Sequence, residues 1–131
     1  IIFMKFHHIG YLTNNIKRSI IDFKKINYQK KTNIINDNLL MVKVIFIKNS
    51  NNLIELVKPH KKNYGLLKIL KNKNYAYHFA YKVNNIYQSI KKLKKKKFKI
   101  IVNPVPAKAF KNKKISFLKM KDGFIIELIE S

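Results

Sequence analysis

Apolar and polar residues alternate from 5 to 12, which predicts a strand with Phe6, His8, Gly10 and Leu12 on one face and His7, Ile9 and Tyr11 on the other. The period then lengthens. Ile16, Ile20 and Phe23 recur at i, i+4 and i+7 behind Asn14 and Asn15, side chains suited to an N-cap, so a helix follows whose apolar stripe must pack on a sheet. Strands are expected near 28–35, 41–48 and 53–58, the middle one being the run Val42-Lys-Val-Ile-Phe-Ile47. A short helical stretch from Tyr64 to Leu70 comes next. The order then repeats: a strand through His78, a helix carrying Ile86, Ile90 and Leu93 behind Asn84 and Asn85, and strands near 98–102, 114–120 and 124–130. Asn103-Pro-Val-Pro-Ala-Lys-Ala-Phe110 holds two prolines and is read as a covering loop rather than as sheet.

The repetition extends to residue identity. His8-Ile-Gly-Tyr-Leu-Thr-Asn-Asn-Ile-Lys-Arg-Ser-Ile20 returns as His78-Phe-Ala-Tyr-Lys-Val-Asn-Asn-Ile-Tyr-Gln-Ser-Ile90, and Leu53-Ile-Glu-Leu56 returns as Ile125-Ile-Glu-Leu128. A tandem duplication accounts for this. Each module reads strand, helix, strand, strand, strand, giving an α+β chain: residues 1–58 as the first βαβββ module, 59–74 as a linker with a short helix, and 75–131 as the second. Together they are expected to form one compact domain.

Composition narrows the chemistry. The absence of cysteine removes thiolate metal motifs, thiol nucleophiles and redox pairs, and fits a reducing compartment. No run of 18 apolar residues is present, and the opening Ile1-Ile-Phe-Met-Lys-Phe6 is too short and wrongly flanked for a signal peptide, so a soluble cytoplasmic protein without membrane contact is expected. A net charge of +23 ordinarily points to nucleic acid. Arg18 is the one arginine among 29 basic residues, however, and the fork that reads phosphates and guanine edges is a guanidinium. The lysines, including the run from Lys91 to Lys97 that Leu93 interrupts at core spacing, read as a solvated coat that attracts anionic substrates, with no specific nucleic-acid partner.

Four residues carry the candidate chemistry. Glu55 and Glu127, two of three glutamates, each interrupt an apolar strand, and a carboxylate on a buried sheet face is costly unless paired, hydrogen-bonded or bound to a cation. His8 and His78 are each followed two positions later by a small residue, Gly10 and Ala80, which leaves space beside the imidazole. Their joint recurrence points to a pseudo-symmetric metal site of two histidines and two glutamates, a donor set that suits zinc, nickel, cobalt, iron or manganese. His7 aligns with Tyr77 in the repeat and is read as structural. His60, after Pro59, is expected to face solvent.

With these features in place, His7-His-Ile-Gly-Tyr11, Leu53-Ile-Glu-Leu-Val-Lys-Pro59, Tyr77-His-Phe-Ala-Tyr81 and Phe124-Ile-Ile-Glu-Leu128 resemble the motifs of the vicinal oxygen chelate superfamily, in particular glyoxalase I and methylmalonyl-coenzyme A epimerase. The resemblance implies a curled eight-stranded mixed sheet of the glyoxalase/bleomycin resistance/dioxygenase fold, with the metal held by His8, Glu55, His78 and Glu127. It implies nickel, cobalt or zinc as cofactor, and a thiol adduct or acyl thioester as substrate. The cup lies within one chain or across a homodimer. The implied reaction is a glyoxalase I-like lyase step on a thiol–methylglyoxal hemithioacetal, through an enediolate held at the metal, with Glu127 as first and Glu55 as second candidate base. Epimerisation of a 2-methyl thioester is the alternative reaction, and non-catalytic small-molecule binding is a third reading. Glyoxalase I carries glutamate at the second ligand position, where the epimerase carries glutamine, so Glu55 favours the former. Near the position of the epimerase's carboxylate base only Asp37 is found, and Leu12 stands where glyoxalase I has the arginine that grips glutathione.

Overall fold

The computed structural model describes residues 3–131; Ile1 and Ile2, the head of the segment judged too short for a signal peptide, lie outside them. The described residues form nine strands and three α-helices: β1 (Lys5–Leu12), α1 (Ile16–Lys24), β2 (Gln29–Lys30), β3 (Ile35–Asp37), β4 (Val42–Asn49), β5 (Asn52–Pro59), α2 (Tyr64–Lys71), β6 (Ala76–Val83), α3 (Ile86–Lys95), β7 (Lys99–Ala107), β8 (Lys113–Lys119) and β9 (Ile125–Glu130). Two compact units result, one of His8–Tyr77 and one of the residues up to His7 with His78–Ser131.

In the first unit the strand order is β2-β4-β5-β1, with β3 also on β4. β1 and β5 run parallel, while β4 pairs antiparallel with β5, β2 and β3. Asn15 caps α1, its Oδ1 accepting from the Arg18 amide at 3.0 Å. The helix lays Ile16, Ile20 and Phe23 on Ile45, Ile47, Ile54 and Leu56, so the period-3.6 stripe meets one face of a period-2 sheet as expected. Since side chains alternate across the strands, Val44 and Phe46 of β4 and Glu55 and Val57 of β5 project to the other face. They are buried there too, which is why β4 and β5 read as nearly continuous apolar runs.

The second unit repeats the plan in the order β6-β9-β8-β7, with β6 and β9 parallel and the other pairs antiparallel. Asn85 caps α3 through the Gln88 amide at 3.0 Å. Ile86, Ile90 and Leu93 pack on Val83, Leu118, Ile126 and Leu128. The hairpin joining β8 to β9 turns at Gly123, whose φ of +96° is one that a side chain strains to adopt. The start of β1 belongs to this unit through Phe6, whose ring meets Phe79 at 6.0 Å and Tyr81 at 5.7 Å, and through His7, 5.7 Å from the Phe110 ring.

Several expectations change. The strand expected near 28–35 is two short pieces, β2 and β3, so the strands number nine rather than eight. The Thr32 hydroxyl causes the break: it accepts from the Phe46 amide at 3.1 Å and donates to the Asn33 carbonyl at 2.9 Å, taking a ladder partner from the backbone. The proline segment 103–107 is sheet after all, because β7 runs through Pro104 and Pro106 to Ala107 as an outer strand with register shifts, the setting in which a missing N–H is tolerated. Phe6 is 50% exposed, so the buried face of β1 begins at His8. His60 is half-buried, with Nε2 2.8 Å from Asn36 Oδ1, and ties β5 to β3. Among the described residues no helix is long and apolar enough to cross a membrane.

Candidate metal centre

In the first unit the parallel register of β1 and β5 sets Gly10 opposite Glu55, and the antiparallel register of β4 and β5 sets Phe46 opposite Glu55 on the other side. His8, two residues before Gly10, therefore shares the sheet face that points away from α1. Its Nε2 lies 3.4 Å from Glu55 Oε1, and its ring meets Phe46 edge-to-face, centroids 5.3 Å apart at 82°. Both polar groups are removed from water, His8 at 0% and Glu55 at 6% relative exposure.

The second unit reproduces this arrangement with other residues. Ala80 lies opposite Glu127 across the β6–β9 pair, and Phe117 lies opposite Glu127 across β8–β9. His78 Nε2 is 3.2 Å from Glu127 Oε1, and the His78 and Phe117 rings are 5.3 Å apart at 79°. His78 is 0% and Glu127 3% exposed. Sequence reasoning thus found both imidazole–carboxylate pairs but missed Phe46 and Phe117. The signal was present, since each phenylalanine sits in the strand preceding its glutamate at the position the hairpin brings alongside.

A buried carboxylate beside a buried imidazole suits two roles. As an ion pair it costs desolvation of both partners. As two donors to a divalent cation, a neutral imidazole and a carboxylate are hard-to-borderline ligands of the kind zinc, nickel and cobalt take. The four residues each offer one ligand atom of this type. Of the other candidates, His7 is occupied by its ring contact and His60 by Asn36. Asp37 is buried, with its Oδ1 accepting from the Leu40 amide at 3.0 Å, so it caps the turn into β4.

Comparison with known proteins agrees with this architecture. The family described as the Glyoxalase/Bleomycin resistance protein/Dioxygenase superfamily matches residues 7–117. No curated protein sequence matches the chain. Among solved structures, a hypothetical protein from Bacillus halodurans superposes with a TM-score of 0.83 at 22% identity, over 98% of this chain and 94% of that one. Methylmalonyl-CoA epimerase from Mycobacterium tuberculosis gives 0.80 at 17% identity, covering 96% of this chain and 87% of its own. The Streptomyces coelicolor methylmalonyl-CoA epimerase in complex with 2-nitronate-propionyl-CoA gives 0.80 at 15%, covering 97% and 94%. At these identities the likeness is one of fold.

Proposed function

Because the chain belongs to the glyoxalase/bleomycin resistance protein/dioxygenase superfamily, we propose that its two imidazole–carboxylate pairs serve one divalent cation, nickel, cobalt or zinc, and that the protein catalyses proton transfer at a carbon next to a carbonyl. The observation that carries the reading is the duplicated pair: a buried Nε2 at 3.4 Å and at 3.2 Å from a buried carboxylate oxygen, once in each unit. Two such pairs are expensive as isolated ion pairs and are accounted for as ligands.

The substrate class is a thiol adduct of methylglyoxal, and the reaction a glyoxalase I-like isomerisation to a thioester. When bound, the cation supplies Lewis-acid stabilisation of the oxygen charge that develops as the carbon loses its proton. His8 and His78 serve as ligands, each on a strand paired in parallel with the strand that carries its glutamate. Glu127 takes the proton from one carbon and returns it to the neighbouring one, with Glu55 as second candidate for that role. Phe46 and Phe117, edge-to-face on His8 and His78, help keep water from each imidazole–carboxylate pair. Leu12, fully buried where an arginine would grip a glutathione carboxylate, directs the search to thiols beyond glutathione.

A second reading, epimerisation of a 2-methyl-branched thioester, is supported by the epimerases among the structural neighbours. The same base chemistry serves it, with the proton returned to the opposite face. Stripping the protein with a chelator, restoring nickel, cobalt or zinc, and assaying hemithioacetals of several thiols tests the first reading. Solvent deuterium entering methylmalonyl-coenzyme A, with no turnover of hemithioacetals, would replace it by the second. Inactivity in both assays, with thermal stability unchanged by chelation, would leave a non-catalytic binding protein.

A further inference from the structure

We infer that Phe46 and Phe117 are positioning residues for the candidate metal centre, each setting the plane in which its histidine presents Nε2. The inference rests on the metal-centre reading above and concerns how the ligands are held. An imidazole on a strand rotates about two side-chain bonds, and ligation needs one ring plane. An edge-to-face aromatic contact restricts that rotation without using either ring nitrogen, and centroid separations of roughly 4.5–7 Å are its favourable range. The two contacts here fall within it and agree with each other, at 5.3 Å and 82° for Phe46 and 5.3 Å and 79° for Phe117.

Each phenylalanine touches the imidazole with its ring while its backbone lies directly opposite the glutamate, so one residue references both donors of its unit. Phe46 is itself anchored: its amide donates to Thr32 Oγ1 at 3.1 Å, and its carbonyl accepts from the Lys31 amide at 2.8 Å. The residue before Phe117 is anchored in another way, with the Ser116 hydroxyl donating to the Val102 carbonyl at 2.6 Å. Around these anchors the two strands differ, Val-Lys-Val-Ile-Phe-Ile against Lys-Ile-Ser-Phe-Leu-Lys, yet the phenylalanine opposite the glutamate persists. Mere core filling has no need of an aromatic ring at both places, because Val44, Val57, Ile115 and Ile129 fill the same face with aliphatic groups.

Cobalt(II) titration of the metal-free protein tests this without recourse to activity, reading the dissociation constant and the visible d–d band. Phe46→Leu and Phe117→Leu keep apolar bulk and remove the ring. Each is expected to weaken cobalt binding about 10- to 100-fold, the range typical of groups that orient a ligand from outside the coordination shell, and to shift the band. Phe117→Tyr retains the ring at a half-buried position and is expected to bind as wild type. Leucine variants with wild-type affinity and spectrum would overturn the positioning role. Wild-type protein that takes up no stoichiometric cobalt would overturn the metal-centre reading and this inference with it. Should Phe46→Leu fail to fold, Phe117→Leu decides the question.

Discussion

Gly10 faces Glu55 across the parallel β1–β5 pair, and its counterpart in the second unit is Ala80 facing Glu127. Side chains directly opposite one another on a sheet have Cβ atoms roughly 5 Å apart, so the size of the small residue sets the room each carboxylate has. Gly10→Ala reproduces the arrangement that Ala80 already tolerates and is expected to change metal affinity less than about threefold, while Gly10→Val, with its branched Cβ, is expected to lower it at least about tenfold. Calorimetric metal titration of the two variants gives the comparison, and equal affinities would remove the steric argument.

Glu127→Gln keeps shape and removes the basic oxygen. Turnover is expected to fall by about 10²–10⁴, the usual contribution of a positioned base, with a much smaller change in KM. Glu55→Gln is expected to lose less turnover. Steady-state kinetics on the metal-loaded variants measure both, and near-wild-type turnover for Glu127→Gln eliminates it as base.

The helix caps are matched, Asn15 for α1 and Asn85 for α3, each accepting an amide hydrogen bond at 3.0 Å. Replacing either by alanine is expected to cost about 1 kcal/mol. For a chain of this size that lowers Tm by about 3–5 °C. Thermal unfolding followed by circular dichroism reads the shift, and an unchanged midpoint for both variants would contradict the cap geometry.

Burial raises the Tyr11 phenol above its ordinary 10.0, with the neighbouring Tyr75 and then Asp22 adding to the effect. Tyr11 stacks on Tyr75 at 5.9 Å and meets Phe23 at 5.1 Å. In the unfolded chain the phenol ionises first, so its stabilisation is complete below pH 10 and is lost as pH climbs through the raised folded value. The gap in Tm between pH 9 and pH 11 is therefore expected to be smaller in Tyr11→Phe than in wild type. A gap of the same size in both proteins would show that Tyr11 does not contribute.

How far the sequence foretold this arrangement depends on what each element rests on. Helices α1 and α3 were legible because Asn15 and Asn85 supply caps and the apolar stripe behind each has the period of a helix. His8, Glu55, His78 and Glu127 were legible because duplication printed the pattern twice, and the repeat chose His8 over His7. Thr32 was not legible as a strand breaker, since its effect depends on the Phe46 amide fourteen positions away. The extension of β7 through Pro104 and Pro106 depended on its place in the strand order, which local pattern does not encode. Phe46 and Phe117 looked like ordinary core residues until the register set them beside the glutamates.

The placement of Pro104 and Pro106 in β7 reaches beyond the fold of one chain. Among the described residues β7 ends its strand order and is bonded to β8 alone, so its outer side is where a foreign strand would add. Two of its nine residues bring no N–H to such an addition, and the register shifts break the regular spacing a newcomer would need. By lacking those donors and that spacing, β7 makes a poor template for strand addition beside an interior rich in isoleucine and valine.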